Sequence, residues 1–174
     1  MSRNPIIALL TAVASASPLP AQEADPFSTE IRRMYKHVKN NVTRIVEKMP
    51  EANYSFRPTP QIRTFAQIVG HVADVQARSC SAVNGDPKSL NVSAKTTKAY
   101  LVAALKESFS LCDKAFGSLT DATTLETIMW PQGQHHSKAG LLMTAIVSHS
   151  NEEYGYMAVY LRLKGIVPPS SDGR

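Results

Sequence analysis

The stretch from Val147 to Pro169 constrains the fold more than any other, because it puts a histidine and a glutamate on the side of a helix that must be buried. His149 and Glu153 are four residues apart, about one helical turn, so their side chains leave the same face. Leu142, Ala145 and Ile146 lead into that face, and Tyr156, Met157 and Tyr160 continue it at spacings of three and four. Ionisable groups on an apolar stripe end up neutral, paired or bound to metal, because leaving them charged and alone is costly. A helix of this kind needs other helices around it, and the pair needs a third partner from one of them. We expect that partner set to hold a metal ion; the alternative is an ion pair between Glu153 and a protonated His149 or His71.

Three further segments repeat the helical period. Ile31, Met34, Tyr35, Val38, Val42, Ile45, Val46 and Met49 recur at threes and fours from Phe27 until Pro50 stops the run. Pro58 and Pro60 then exclude regular helix from the connector between Glu51 and Arg63. The second helix opens at Thr64, with Gln67 three residues later to complete a capping box, and carries Phe65, Ile68, Val69, Val72 and Val75 on its apolar side. His71 shares that side and points inward. Asn84-Gly85-Asp86-Pro87 is a turn, Ser93 is a candidate N-cap, and Leu101, Ala104, Leu105, Ser108, Phe109, Cys112 and Phe116 mark a third helix ending near Gly117. Thr120 to Gly133 reads as a loop, Ser137 as the cap of the fourth helix, and Gly165 with Pro168-Pro169 as its end. With no strand run and no internal repeat, the pattern is that of an all-α four-helix bundle.

Composition sets the remaining limits. A chain of 174 residues that is 43% hydrophobic fits one domain with a substantial core. Met1 to Ala21 has the build of a cleavable secretory signal: Arg3, an apolar run from Ile6 to Ala14, then small residues at the end. Such a run is too short to cross roughly 30 Å of hydrocarbon, so no membrane attachment is expected after cleavage. The bundle then occupies residues 22–174, in the periplasm or outside the cell, and loses only Arg3 from a net charge of +5. Arg32, Arg33, Lys36, Lys39, Arg44 and Lys48 lie on the first helix without interleaved aromatics, a solvated face and not a nucleic-acid surface.

Cys80 and Cys112 are the two cysteines of a chain read as exported. In an antiparallel hairpin of the second and third helices they would be about 27 Å apart along the axis, at 1.5 Å rise per residue. If the connector instead crosses back so that the two helices run parallel, the cysteines become level. About ten extended residues reach roughly 33 Å, enough for that return. We therefore expect an up-down-down-up bundle with a long connection between helices two and three and a Cys80–Cys112 disulfide; two buried thiols are the alternative.

The phrases K-M-P-E-A-N-Y-S-F-R-P-T-P, F-A-Q-I-V-G-H-V-A-D-V-Q-A-R-S-C and H-S-N-E-E-Y-G-Y-M-A-V-Y-L-R-L-K-G-I-V-P-P resemble the DinB-like superfamily of metal-binding four-helix bundles. The likeness covers essentially all of the chain after the signal segment. It implies the same long connection between helices two and three, and a divalent ion, usually nickel or zinc, held by one histidine of the second helix and two, four apart, on the fourth. Carried over, the ligands fall on His71, His149 and Glu153. The glutamate is a departure, since the family usually has histidine there in a phrase resembling H-x-N-E-H-Y-G-Q, and Tyr156 stands where glutamine is common. Two histidines and a carboxylate still make a three-ligand site for zinc, or for iron or manganese as harder ions. Tyr54, Arg57, Tyr154 and Tyr156 are candidates to surround the metal, as are His135 and His136, whose alternative reading is a plain exposed loop. The resemblance further implies a small-molecule substrate, chemistry of a thiol transferase, isomerase or hydrolase, and homodimers through outer helix faces. A metal-binding or stress-related bundle without catalysis is the competing expectation.

Overall fold

The computed structural model describes residues 25–130 and 133–173. The expected signal segment lies outside the described residues.

Four helical rods form a bundle. The first, α1 (Pro26–Lys48), starts with proline at its first position, where no amide hydrogen is needed. Its exposed amides are met from afar. The Asp121 carboxylate accepts hydrogen bonds from the Ser28 amide at 2.7 Å and the Phe27 amide at 3.2 Å, while Asp25 accepts one from the Asp121 amide at 2.9 Å. Ile31, Tyr35, Val38, Val42, Ile45 and Val46 are buried along one side, as their spacing requires. The connector after Pro50 begins with a short 3-10 turn (Glu51–Asn53) and is pinned by Tyr54, whose hydroxyl donates to the Val46 carbonyl at 2.8 Å.

Helix α2 (Phe65–Val83) opens with both halves of the expected capping box between Thr64 and Gln67. Helix α3 (Lys98–Gly117) starts later than expected, after Thr97 and not at Ser93. Ser93 is taken by another partner: Asp74 on α2 accepts hydrogen bonds from the amides of Val92 and Ser93 and from the Ser93 hydroxyl. The connector thus lies back along α2. Gly70 is what allows this contact, because a Cβ there would come within 2.8 Å of the Ser93 Cα and 2.9 Å of the Val92 carbonyl oxygen.

The pairings between helices give their directions. Gln76 meets Ser108, and Cys80 meets Cys112 in a disulfide with the Cα atoms 4.9 Å apart, so partner numbers rise together and α2 and α3 run parallel. Arg32 reaches Leu119, Lys39 reaches Asp113 and Lys98 reaches Glu47, so α1 and α3 are antiparallel.

The expected loop after α3 contains a short hairpin that sequence reading did not supply. After a 3-10 turn (Asp121–Thr123), β1 (Thr127–Met129) pairs antiparallel with β2 (His135–Ser137). Strands of three residues are too short to display the period of two by which strands are recognised. The fourth rod, residues 138–163, continues directly from the Ser137 cap as α4 (Lys138–Leu141), a π-helical stretch (Leu142–Ser148) and α5 (His149–Leu163). Tyr160 near its end meets residue 63 while His149 at its start meets His71, so α5 and α2 are antiparallel. No described helix is long and apolar enough to cross a membrane.

Candidate metal centre

Helix α2 supplies His71, and α5 supplies His149 and Glu153 one turn apart, at the point where the π-helical stretch gives way to α-helix. Irregular turns of this kind are frequent at functional sites. The Nε2 atoms of His71 and His149 are 3.0 Å apart, and Glu153 Oε1 is 3.6 Å from each. The centre of a triangle with these sides lies about 2.0 Å from every corner, the bond length of a zinc-like ion to imidazole nitrogen or carboxylate oxygen. Three side chains from two helices therefore converge on one bonding point.

The surroundings keep the donors ready. Burial holds both histidines below their ordinary pKa, aided by the charge on Arg63 and opposed at His149 by Glu152, which favours the neutral form that can donate a lone pair to an ion. Burial also raises the Glu153 carboxyl, against the pull of Arg63. Glu153 is 5% exposed, and its Oε2 has no hydrogen-bond partner among the described residues, nor has the buried Nδ1 of His149. Such orphaned atoms are uncommon in a folded interior; an ion bound through both oxygens of Glu153 would satisfy Oε2, while Nδ1 of His149 would stay unpartnered. The donor set of two imidazoles and a carboxylate fits zinc and equally the facial set of non-haem iron.

Around the cluster, Gln76 is fully buried and ties three helices, donating to the Ser150 hydroxyl at 3.2 Å and accepting from the Ser108 hydroxyl at 2.8 Å. This fixes α5 at the residue after His149. Two clefts open beside the cluster. One of about 480 Å³ is lined by Gln61, Ile62, Arg63, Ile68, Glu153, Tyr156 and Tyr160. A neighbouring one of about 420 Å³ shares Gln61, Ile62 and Arg63 and adds Arg57, Gln67 and His71.

Of the residues expected to surround a metal, Arg57 lines the cleft at His71 and Tyr156 the cleft at Glu153. Tyr156 is not on the buried stripe, however. It is half exposed and its hydroxyl donates to Glu152, because at about 100° per residue it stands some 60° round the helix from Glu153. Tyr54 and Tyr154 are engaged elsewhere, the first at the Val46 carbonyl and the second accepting from the Ser170 amide. His135 and His136 are strand residues outside the cluster; His136 packs edge-on against Trp130. Sequence reading missed Arg63 and the role of Tyr160. Arg63 precedes the Thr64 cap and so stands about two turns before His71, while the Tyr160 hydroxyl donates to the Arg63 carbonyl at 2.6 Å.

The sequence profile of the DinB superfamily matches residues 34–157. Among solved structures, a DinB-like protein from Bacillus cereus superposes with a TM-score of 0.70 at 14% identity, covering 81% of this chain and 95% of its own. YfiT from Bacillus subtilis, described as a probable metal-dependent hydrolase with an unusual four-helix bundle topology, superposes at 0.62 and 15% identity over 88% of this chain and 96% of its own. A mycothiol-dependent maleylpyruvate isomerase variant does so at 0.59 and 15% identity, over 83% of this chain and 63% of its own. At these identities the likeness is one of fold. No curated protein sequence matches.

Proposed function

Because the chain belongs to the DinB superfamily, we propose that His71, His149 and Glu153 hold one divalent ion and that the protein is a metal-dependent enzyme, a hydrolase or transferase, acting on a small molecule beside them. Zinc or nickel is the expected ion, and the carboxylate admits iron or manganese as alternatives. The observation that carries the reading is the convergence of three donors on a single bonding point, with the far oxygen of Glu153 unpartnered. A bound ion with three protein ligands keeps coordination positions open and supplies Lewis-acid activation.

The protein's own residues do the rest. Ile62, Ile68 and Tyr160 line the cleft and limit water beside Glu153, and the Gln76 bridge holds α5 in register with α2. The hydrolase name borne by YfiT supports the first reaction class, and the mycothiol-dependent isomerase among the structural neighbours supports thiol chemistry in this fold. The disulfide supports an oxidising compartment, the periplasm or the exterior, with residues 1–21 removed as a signal.

A second reading, a bundle that binds metal without catalysis, draws on the linings: besides the three ligands, the described residues of the two clefts include no carboxylate or histidine to serve as a separate base. Turnover separates the two. Protein stripped by a chelator is assayed on small esters, amides and thiol adducts before and after metal is restored. An enzyme loses turnover on stripping, regains it with metal, and never shows it as His149→Ala. Metal uptake with no turnover leaves the binding reading, and turnover that survives stripping defeats both.

A further inference from the structure

Arg63 is placed as a counter-charge with nothing firm to hold. Its guanidinium is about half exposed, stands 3.7 Å from Glu153 Oε1, and makes no hydrogen bond among the described residues. Its backbone, in contrast, is fixed, because the carbonyl of Arg63 accepts from the Tyr160 hydroxyl on α5 and Thr64 behind it closes the capping box of α2. A long cationic side chain with a pinned root at the meeting of two clefts is arranged to receive something.

The linings say what. Arg63 belongs to both clefts, and Arg57, whose own loop is held by a bond from its guanidinium to the Pro60 carbonyl at 3.0 Å, adds a second positive charge on the His71 side. Among the described residues, Glu153 is the one acidic residue in either lining. The neighbouring acids are occupied: Glu152 accepts from Tyr156, and Asp74 accepts from the connector at Val92 and Ser93. Beside the charges, Ile62, Ile68, Tyr156 and Tyr160 form an apolar and aromatic wall. The cleft volume of about 480 Å³ is in the range that encloses a small organic ligand.

We propose that the ligand of this cleft is a small amphipathic anion, a carboxylate or phosphate with an apolar body, whose acid group pairs with the Arg63 guanidinium while its body lies on Ile62, Ile68, Tyr156 and Tyr160. The proposal rests on the metal-site reading in that an ion on Glu153 releases Arg63 from its one acidic neighbour among the described residues, but the Arg63 contact itself needs no metal. Arginine suits the role because its planar fork meets a carboxylate or phosphate with two parallel hydrogen bonds.

The test uses three probes of one skeleton, 4-phenylbutyrate, 4-phenylbutan-1-ol and 4-phenylbutylamine, titrated by calorimetry into metal-free and zinc-loaded protein. In both forms the carboxylate binds about tenfold or more tightly than the alcohol, the margin of a charge-assisted hydrogen bond, and the amine binds weakest. In the metal-free protein, Arg63→Gln brings the carboxylate down to the alcohol and leaves the alcohol unchanged, while Arg63→Lys falls between. Equal binding of acid and alcohol to metal-free protein overturns the proposal, as does a preference for the acid that survives Arg63→Gln there. Discrimination that depends on Arg63 in a protein that takes up no zinc upholds it and rejects the metal reading instead.

Discussion

The two seams that α2 makes with its neighbours are built on opposite terms. Toward α3, the seam is closed: a disulfide at Cys80 and Cys112, a hydrogen bond from Ser108 to Gln76, and a carbonyl of Leu111 met by the Asn84 side chain. Toward α5, two turns away, His71 faces His149 and Glu153, with Glu153 Oε2 and His149 Nδ1 left without partners in a buried setting. The polar groups just named on the first seam are paired, although the buried Ser79 hydroxyl, also on α2, has no partner among the described residues. Those on the second carry an unmet cost that a purely structural contact would have shed. Gln76 belongs to both, and through Ser150 it ties the closed seam to the residue beside His149. One face of α2 thus carries the covalent and paired contacts, while the other brings together three candidate metal ligands with polar atoms left unpaired.

That division can be broken at several points. Replacing both cysteines, Cys80→Ser with Cys112→Ser, frees a loop with a sequence separation of 32 residues. By the chain-entropy relation this should cost about 3–4 kcal/mol, read as a lowered denaturant midpoint, with metal content per folded chain unchanged. Loss of metal along with stability would show that the seams are not separable. Gly70→Ala forces a methyl against the Ser93 backbone and should cost about 2 kcal/mol in the same assay by overpacking, since a backbone neighbour yields little.

Glu153→Gln sharpens the comparison with the opposite sign. Removing a carboxyl that burial disfavours should raise the stability of the metal-free protein by about 1 kcal/mol while abolishing metal uptake. A destabilised variant would mean that the cluster is an ordinary part of the core.

The smallest effect belongs to the far end of the bundle. The Ser28 amide, with the Phe27 amide, holds the Asp121 carboxyl below its ordinary pKa. A carboxylate with a depressed folded pKa stabilises above its unfolded pKa, and that contribution fades as pH falls through the folded value. Melting curves from about pH 6 to about pH 2 should therefore show wild type and Asp121→Asn converging at the acid end. Parallel curves throughout would remove this carboxylate from the account.

What the sequence displayed was whatever periodicity and local chemistry can encode. The stripes of α1 and α2, the Thr64 and Gln67 box and the Ser137 cap depend on residues close in the chain, and all three recur in the structure, except that Met34 of the α1 stripe is exposed. The inward direction of His71, His149 and Glu153 follows from the same period. Contacts between distant segments were not legible. Asp121 capping a helix 93 residues earlier, Asp74 claiming Ser93, and Arg63 reaching toward Glu153 leave no local trace. Gly70 and Asp74 could have signalled the returning connector, since a buried glycine beside an inward acid in mid-helix costs propensity for no local gain. Tyr54 and Tyr154 misled for the same reason: an amphipathic side chain near a site in sequence can spend its hydroxyl on any nearby carbonyl or amide.

Elemental analysis of untagged protein purified from its own compartment, side by side with His71→Ala, decides whether the three side chains hold an ion. Close to one divalent ion per chain is expected in the wild type and none in His71→Ala, with both proteins folded. A wild type without metal, or a His71→Ala variant that keeps its ion, would contradict it.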